Sequence, residues 1–298
     1  AFYNCTNLKM INIPHKVENI LSYTFSGDYN LTNVILNEGL KTIELYAFSM
    51  TGFSEISLPS TLTKIEEQVF SGNSKLKNIN IKEGANFIYE NGMLIKKTKE
   101  DLLVISDDYL QNITTFTIPE GVKRFTTSLV YYENIKKLII PSTLEEFSKS
   151  NSRKFFPTTI EEIEVSEKNK KFSVSNIYTK DTNELIMCFS KEENINIDSE
   201  NEIGILKLKQ WSFSYATNAK TIILPNSLTT IESQVFQENK KLQQLKIGEN
   251  VSNIDPIFKY SNYSGNVIID SNNEHYTVEN NILYDKNKSK LISVLGEI

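Results

Sequence analysis

The sequence is short of the residues from which catalytic and metal centres are usually made. It has two histidines, two cysteines and one tryptophan among 298 residues. His15 and His275 lie far apart in sequence, next to turn-forming residues, and neither belongs to an H-E-x-x-H or other ligand-spaced cluster. Both read as surface residues. Cys5 is the sole cysteine near a histidine, and a lone thiol at a regular position before Leu8 reads as a small filler, not a nucleophile. Two cysteines make no disulfide framework. Cys5 and Cys188 stand some eight sequence units apart, about 40 Å if the units stack at strand spacing. That is far beyond the roughly 7 Å a bridge tolerates, so no internal disulfide is expected.

Other absences narrow the field further. No apolar run nears the roughly 20 residues of a membrane helix. The net charge of −5 provides neither a nucleic-acid footprint nor a polybasic membrane patch. Glycine numbers 11, and no glycine-rich loop opens a helix to cradle a phosphate. Asp107-Asp108 and Asp198 lack the spacing of a calcium loop. The composition thus leads to no cofactor, no metal and no enzyme.

What the chain does have is repetition, which governs the fold reading of the whole chain. The clearest unit runs from Phe53 to Phe70: Phe53, Ile56, Leu58, Pro59, Leu62, Ile65 and Phe70. The generic form is L-x-x-I-x-I-P-x-x-L-x-x-I-x-x-x-x-F followed by polar residues. Leu8, Leu31, Phe53 and Leu76 open successive units at steps of 23, 22 and 23 residues. Further units follow from Ile113, Ile135, Ile160, a weak one near Ile195 to Phe213, then Ile222, Leu242 and Val267. The I-x-I step alternates like a strand, and the proline after it ends that strand. The V/L-x-x-I step predicts a second short strand. The tract from Glu66 to Phe70 predicts one short helical or 3₁₀ turn carrying a phenylalanine into the core.

Three units break off after the first strand and share another pattern. FIYENGMLIKKTKEDLLVIS, FSVSNIYTKDTNELIMCFS and EHYTVENNILYDKNKSKLISV align Leu94 with Ile177 and Leu283, and Leu102 with Leu185 and Leu291. Each predicts a β-hairpin insertion, near 86–106, 172–190 and 275–295. Residues 148–157 fit no register. The expected fold is mostly β: a right-handed leucine-rich repeat solenoid of about 11–12 units with a period of about 22–23, a single domain over 1–298. AFYNCTNL already lies inside a repeat, and SVLGEI stops without a polar cap. Solenoids need capped ends, so the sequence reads as a piece of a longer protein. An absent signal or anchor then says nothing about location.

The LxxIxIP steps at Leu8–Pro14, Phe53–Pro59, Ile135–Pro141 and Ala219–Pro225 resemble the BspA-like, or Treponema pallidum-type, leucine-rich repeats. The AF-x-x-C-x-x-L string at Ala1 to Leu8 and the N-G-M-L-I and N-I-L-Y hairpins are similar to the same family. The resemblance implies a non-catalytic, secreted or surface-displayed module that adheres to host proteins, matrix or other cells. Its partner would be a protein or a cell-surface ligand, with no nucleic acid and no membrane insertion, and the chain itself a monomer. The alternative is a passive spacer presenting another domain.

Strand alternation and stacking select the candidate contact residues. The middle residue of each I-x-I step points outward, giving the column Asn12, Ile35, Ser57, Asn80, Thr117, Ile139, Glu164, Ile223, Lys246 and Ile268. A flanking column contains Met10, Asn33, Glu55, Asn78, Thr115, Lys137, Glu162, Thr221, Gln244 and Asn266. Four outward isoleucines mark an interaction site if contiguous, and are ordinary scattered residues otherwise. Glu44, Glu66, Glu232 and Asp255 each follow the isoleucine of the second step and read as a solvated row rather than acid–base groups. N-x-S/T strings at Asn4, Asn30, Asn112, Asn250, Asn262 and Asn287 matter only in a eukaryotic secretory setting.

Overall fold

The structure is a computed structural model. It describes residues 1–98, 100–147, 155–172, 176–197, 204–258, 263 and 265–295. Asp198, Asn262 and most of the unassigned stretch 148–157 therefore lie outside the described residues. The chain divides into two compact units, Ala1–Ile135 with Thr143–Phe155, and Lys136–Ser142 with Phe156–Ile298.

In the first unit, the I-x-I steps form strands Met10–Ile13, Asn33–Leu36, Glu55–Leu58 and Asn78–Ile81. Asn33–Leu36 and Glu55–Leu58 alternate exposed and buried residues, as half-buried strands must. Met10–Ile13 pairs in parallel with Asn33–Leu36, and Glu55–Leu58 with Asn78–Ile81, residue for residue: Ile11 opposite Val34, and Leu58 opposite Ile81. Pro14 and Pro59 end their strands, and the Val17 and Leu62 amides close back on the Pro14 and Pro59 carbonyls at 2.9 and 3.2 Å. Two-residue second strands follow, Asn19–Ile20, Thr42–Ile43 and Lys64–Ile65, again parallel.

The tract after each second strand is not the short helix expected. It is a pair of turns with a left-handed residue two positions before the phenylalanine: Tyr23, Tyr46 and Gln68 have φ of 58°, 55° and 58°. A second left-handed position follows the ring, occupied by Gly27, Met50 and Gly72. Such a φ costs a non-glycine residue about 1–2 kcal/mol. Neighbouring coils hold it in place. The Tyr23, Phe25 and Gly27 amides donate to the Leu45, Ala47 and Ser49 carbonyls at 3.0, 2.8 and 3.0 Å, a third inter-coil ladder beside the two strand ladders. The rings then stack: Phe2 on Phe25 at 5.3 Å, Phe25 on Phe48 at 5.1 Å, and Phe48 on Phe70 at 6.1 Å.

The interrupted unit begins after Asn78–Ile81. Strands Phe87–Glu90, Met93–Lys96 and Asp101–Ile105 follow as a meander, each antiparallel to the one before. The last then re-enters the parallel ladder, with Leu102 opposite Phe125 and Phe125 opposite Phe147. Phe125 and Phe147 thus take the second-strand position, as their spacing from Val122 and Leu144 implies. Asp101 is buried in this ladder and ion-paired with Lys96 at 3.0 Å and with Arg124. Burial alone would raise its pKa, but these two cations outweigh it and hold the carboxyl below its ordinary range. A five-residue helix, Asp107–Gln111, capped by Ser106, follows the last strand.

The second unit repeats the scheme. Lys137–Ile140 pairs in parallel with Glu162–Val165. Asn194–Asn196, Thr221–Ile223, Gln244–Ile247 and Asn266–Ile269 form a four-stranded parallel sheet, and Lys207–Leu208, Thr230–Ile231 and Asn253–Ile254 are its second strands. The Asn176–Tyr178 and Glu184–Cys188 hairpin re-enters the second ladder at Leu185 opposite Leu208. A third antiparallel set, Tyr276–Glu279, Ile282–Asp285 and Leu291–Val294, closes the described residues. Leu102 and Leu185 are fully buried against the next strand, whereas Leu291 is 54% exposed. Trp211 and Gln234 repeat the left-handed turn at φ of 62° and 59°. Buried asparagines tie the coils together. The Asn273 amide donates to the Gly248 and Val251 carbonyls at 3.0 Å each, and its oxygen accepts from the His275 and Tyr276 amides.

Candidate functional site

The outward residues of the first strands make the candidate site, one face in each compact unit. In the first unit Asn12 stands opposite Ile35, and Ser57 opposite Asn80. All four are exposed, as is Thr117 on the Thr115–Thr117 strand. In the second unit Ile139 stands opposite Glu164, and Asn196, Ile223, Lys246 and Ile268 follow one another across four strands. Glu164 and Lys246 are exposed, while Ile139 and Ile223 are half-buried.

The isoleucines do not form a patch. Ile35, 43% exposed, has Asn12 as its strand partner, and Lys246 separates Ile223 from Ile268, which is 38% exposed. Ile139 lies against Glu164. Between two apolar readings of this column, scattered residues or a continuous patch, the register gives the first.

The flanking column is mainly neutral. It carries Met10, Asn33, Glu55, Asn78 and Thr115 in the first unit, and Thr221, Gln244 and Asn266 in the second. Glu55, Lys137 and Glu162 are the exceptions, and Lys137 bridges Glu162 at 2.7 Å and Glu164 at 3.1 Å, which raises its pKa. Several first-unit amides are already engaged with each other. Asn37 donates to Asn12 at 2.7 Å, and Asn78 to Asn80 at 2.7 Å. Asn194 and Asn196 join the second-unit face, although the weak Ile195 repeat gave no reason to include them.

The row of carboxylates has more to do than meet water. Glu44, Glu66 and Glu232 are half-buried and reach back one coil to the amides of Ser22, Leu45 and Gln210, at 3.0, 3.0 and 2.9 Å. These amides open the left-handed turns, where no strand partner is available, so a carboxylate satisfies a donor the repeat would otherwise orphan. Lys64 is the main cause lowering the Glu66 pKa. For Glu232 burial works upward, and Lys207, Lys209 and the Gln210 amide more than offset it. Asp255 is exposed.

No group of three or more His, Cys, Asp or Glu among the described residues could hold a metal ion. Cys5 and Cys188 are free thiols, half-buried and buried. No helix among the described residues is long and apolar enough to cross a membrane.

Six copies of the BspA type leucine rich repeat region match residues 1–99, 108–184 and 186–294. The chain belongs to the BspA-type leucine-rich repeat family. Three crystal structures of bacterial repeat proteins are similar to it. A leucine-rich repeat protein from Eubacterium ventriosum ATCC 27560 is 16% identical with a TM-score of 0.52, over 87% of this chain and 78% of that one. A leucine-rich cell surface protein from Faecalibacterium prausnitzii A2-165 is 18% identical with a TM-score of 0.49, over 100% and 65%. The pneumococcal vaccine antigen PcpA is 20% identical with a TM-score of 0.42, over 90% and 52%. At these identities the first likeness speaks for the leucine-rich repeat fold alone. The chain spans about 65% of the length of the Faecalibacterium protein. No curated protein matches the chain.

Proposed function

We propose that this chain is a non-catalytic binding module, secreted or displayed at a cell surface, whose first-strand faces contact a protein or cell-surface ligand. The observation that carries the reading is the register. Parallel pairing places Asn12 beside Ile35 and Ser57 beside Asn80 in the first unit, and Ile223, Lys246 and Ile268 in sequence in the second, so side chains of successive repeats line up on the first-strand face of each unit. Repeat arrays use such faces to bind extended partners. Family membership supports a location outside the cell. The competing reading is a spacer, supported by the same neutral, scattered face.

Attachment separates the two. The full chain is coated on plastic and scored for capture of cells and of extracellular-matrix proteins, beside variants Ile35→Lys and Ile268→Lys. Both positions are exposed, so the fold tolerates the change. A binding module captures at least one partner and loses capture in a variant. A spacer captures none, or is indifferent to both substitutions.

A further inference from the structure

The second-unit face carries a strip whose hydrogen-bonding groups are unused. Asn194, Thr221, Gln244 and Asn266 lie side by side on adjacent parallel strands, in direct register. All four are exposed or half-exposed. Among the described residues their side chains make no hydrogen bond or ion pair within the protein. That is unlike the first unit, where Asn12, Asn37, Asn78 and Asn80 spend amide groups on one another. Beside the strip run Asn196, Ile223, Lys246 and Ile268. Lys246 is the single charge among these eight residues, in a chain whose charged fraction is 23%.

Three kinds of polymer can be weighed against that chemistry. An anionic polymer needs several cations, and the strip has one. An extended peptide laid across the strands repeats its outward groups every two residues, about 6.7 Å, whereas the strip repeats at about 4.8 Å, so the two drift out of step within a few strands. A hydroxyl-rich chain has donors and acceptors all along it and needs no such register. Amide side chains offer one donor and one acceptor side by side, which matches a pair of neighbouring hydroxyls. Ile223 and Ile268 supply apolar surface for the C–H faces of sugar rings.

We infer that the Asn194–Thr221–Gln244–Asn266 strip, with Ile223 and Ile268 beside it, binds an uncharged glycan chain. The assignment rests on the binding-module reading above and gives its ligand a chemical class.

The test is affinity electrophoresis of the full chain through gels containing dextran, galactomannan, mixed-linkage β-glucan or xylan, with heparin as the anionic comparison. At least one neutral polysaccharide retards the chain, and the retardation changes less than about twofold between roughly 50 and 500 mM salt, because no ion pairs are made. The Gln244→Ala/Asn266→Ala variant loses about tenfold or more in affinity, the loss of one or two hydrogen bonds. Asn194→Ala/Thr221→Ala provides a second, independent variant, and both must keep the wild-type circular dichroism spectrum. No retardation by any neutral gel, retardation by heparin alone, or variants that run like the wild type would each overturn the assignment. A chain that captures cells yet passes all four neutral gels unretarded refutes the glycan assignment and leaves the binding-module reading standing. A chain retarded by a neutral gel but capturing no cell or matrix protein keeps the assignment and refutes attachment.

Discussion

Phe48 sits at the centre of an aromatic column and gives the sharpest stability prediction. Its side chain is fully buried. Its ring stacks on Phe25 at 5.1 Å and Phe70 at 6.1 Å, and meets Phe53 edge-on at 6.0 Å. Phe48→Ala removes one large buried side chain and all three ring contacts. Truncating a buried phenylalanine costs about 3–5 kcal/mol, and three aromatic partners place this site near the top of that range, about 4–5 kcal/mol. Phe2 is the matched control. It occupies the same repeat position, but it is 40% exposed and has one stacked partner, Phe25. Phe2→Ala should cost about 1 kcal/mol. Urea titration followed by circular dichroism gives the total loss. Hydrogen exchange gives its location, because in a repeat array a core defect opens the coils on either side first. Exchange should quicken most at the amides of Phe25, Phe48 and Met50, which hold the third ladder. Equal costs for the two variants, or a Phe48→Ala cost below about 2 kcal/mol, would refute the idea that stacked coils share one core.

Other consequences follow from the same features. Gln68→Val and Gln234→Val put a β-branched side chain at φ of 58° and 59° and should each destabilise by about 1–3 kcal/mol in urea titrations, whereas Gln→Gly at these sites should be nearly neutral. Asn273→Ala strips four hydrogen bonds from a buried turn and should lower stability by about 2–4 kcal/mol. Arg124→Met leaves the Asp101 carboxylate with Lys96 as its remaining cation and should cost about 2 kcal/mol. Glu38 accepts hydrogen bonds from the Ser60 hydroxyl, Lys82 and the Ser60 and Thr61 amides, with Ser60 the main cause, and its pKa falls from 4.5 to about 2. A carboxyl depressed in the folded state contributes its full stabilisation above pH 4.5 and loses it as the pH falls toward 2. The stability gap between wild type and Glu38→Gln, read by urea titration, should therefore be present at neutral pH and close in acid. Ile65→Asp should unravel the middle of the first unit, and Asn80→Ala should change little, as thermal melts would report.

Much of this architecture could be read from spacing. A hydrophobic series recurring every 22 or 23 residues leaves few alternatives to stacked coils, and the alignment of Ile11 with Val34 or Leu58 with Ile81 is the register observed. The left-handed turns were not legible. Tyr, Gln and Trp carry no local preference for positive φ, and the turn exists because amide–carbonyl ladders from the next coil impose it. Phe125 and Phe147 follow Val122 and Leu144 at the spacing of the second step, and they pair as second-strand residues, with Leu102 opposite Phe125 and Phe125 opposite Phe147. The outward columns followed from strand alternation. Which of their amides are free did not, because that depends on the reach of neighbours such as Asn37 toward Asn12. Nor did composition show that Glu44, Glu66 and Glu232 each serve the preceding coil's backbone.

The claim beneath all of this is that successive repeats lie next to one another in chain order. Paired nitroxide labels on the second-unit face measure it directly, with Cys5 and Cys188 replaced by serine. Labels at Gln244 and Asn266 occupy neighbouring strands, about 4.8 Å apart at the backbone, while labels at Asn194 and Asn266 are three strand steps apart, about 14 Å. Strong dipolar broadening for the first pair and weak broadening for the second is the predicted result. Equal broadening, or the stronger coupling between Asn194 and Asn266, would contradict it.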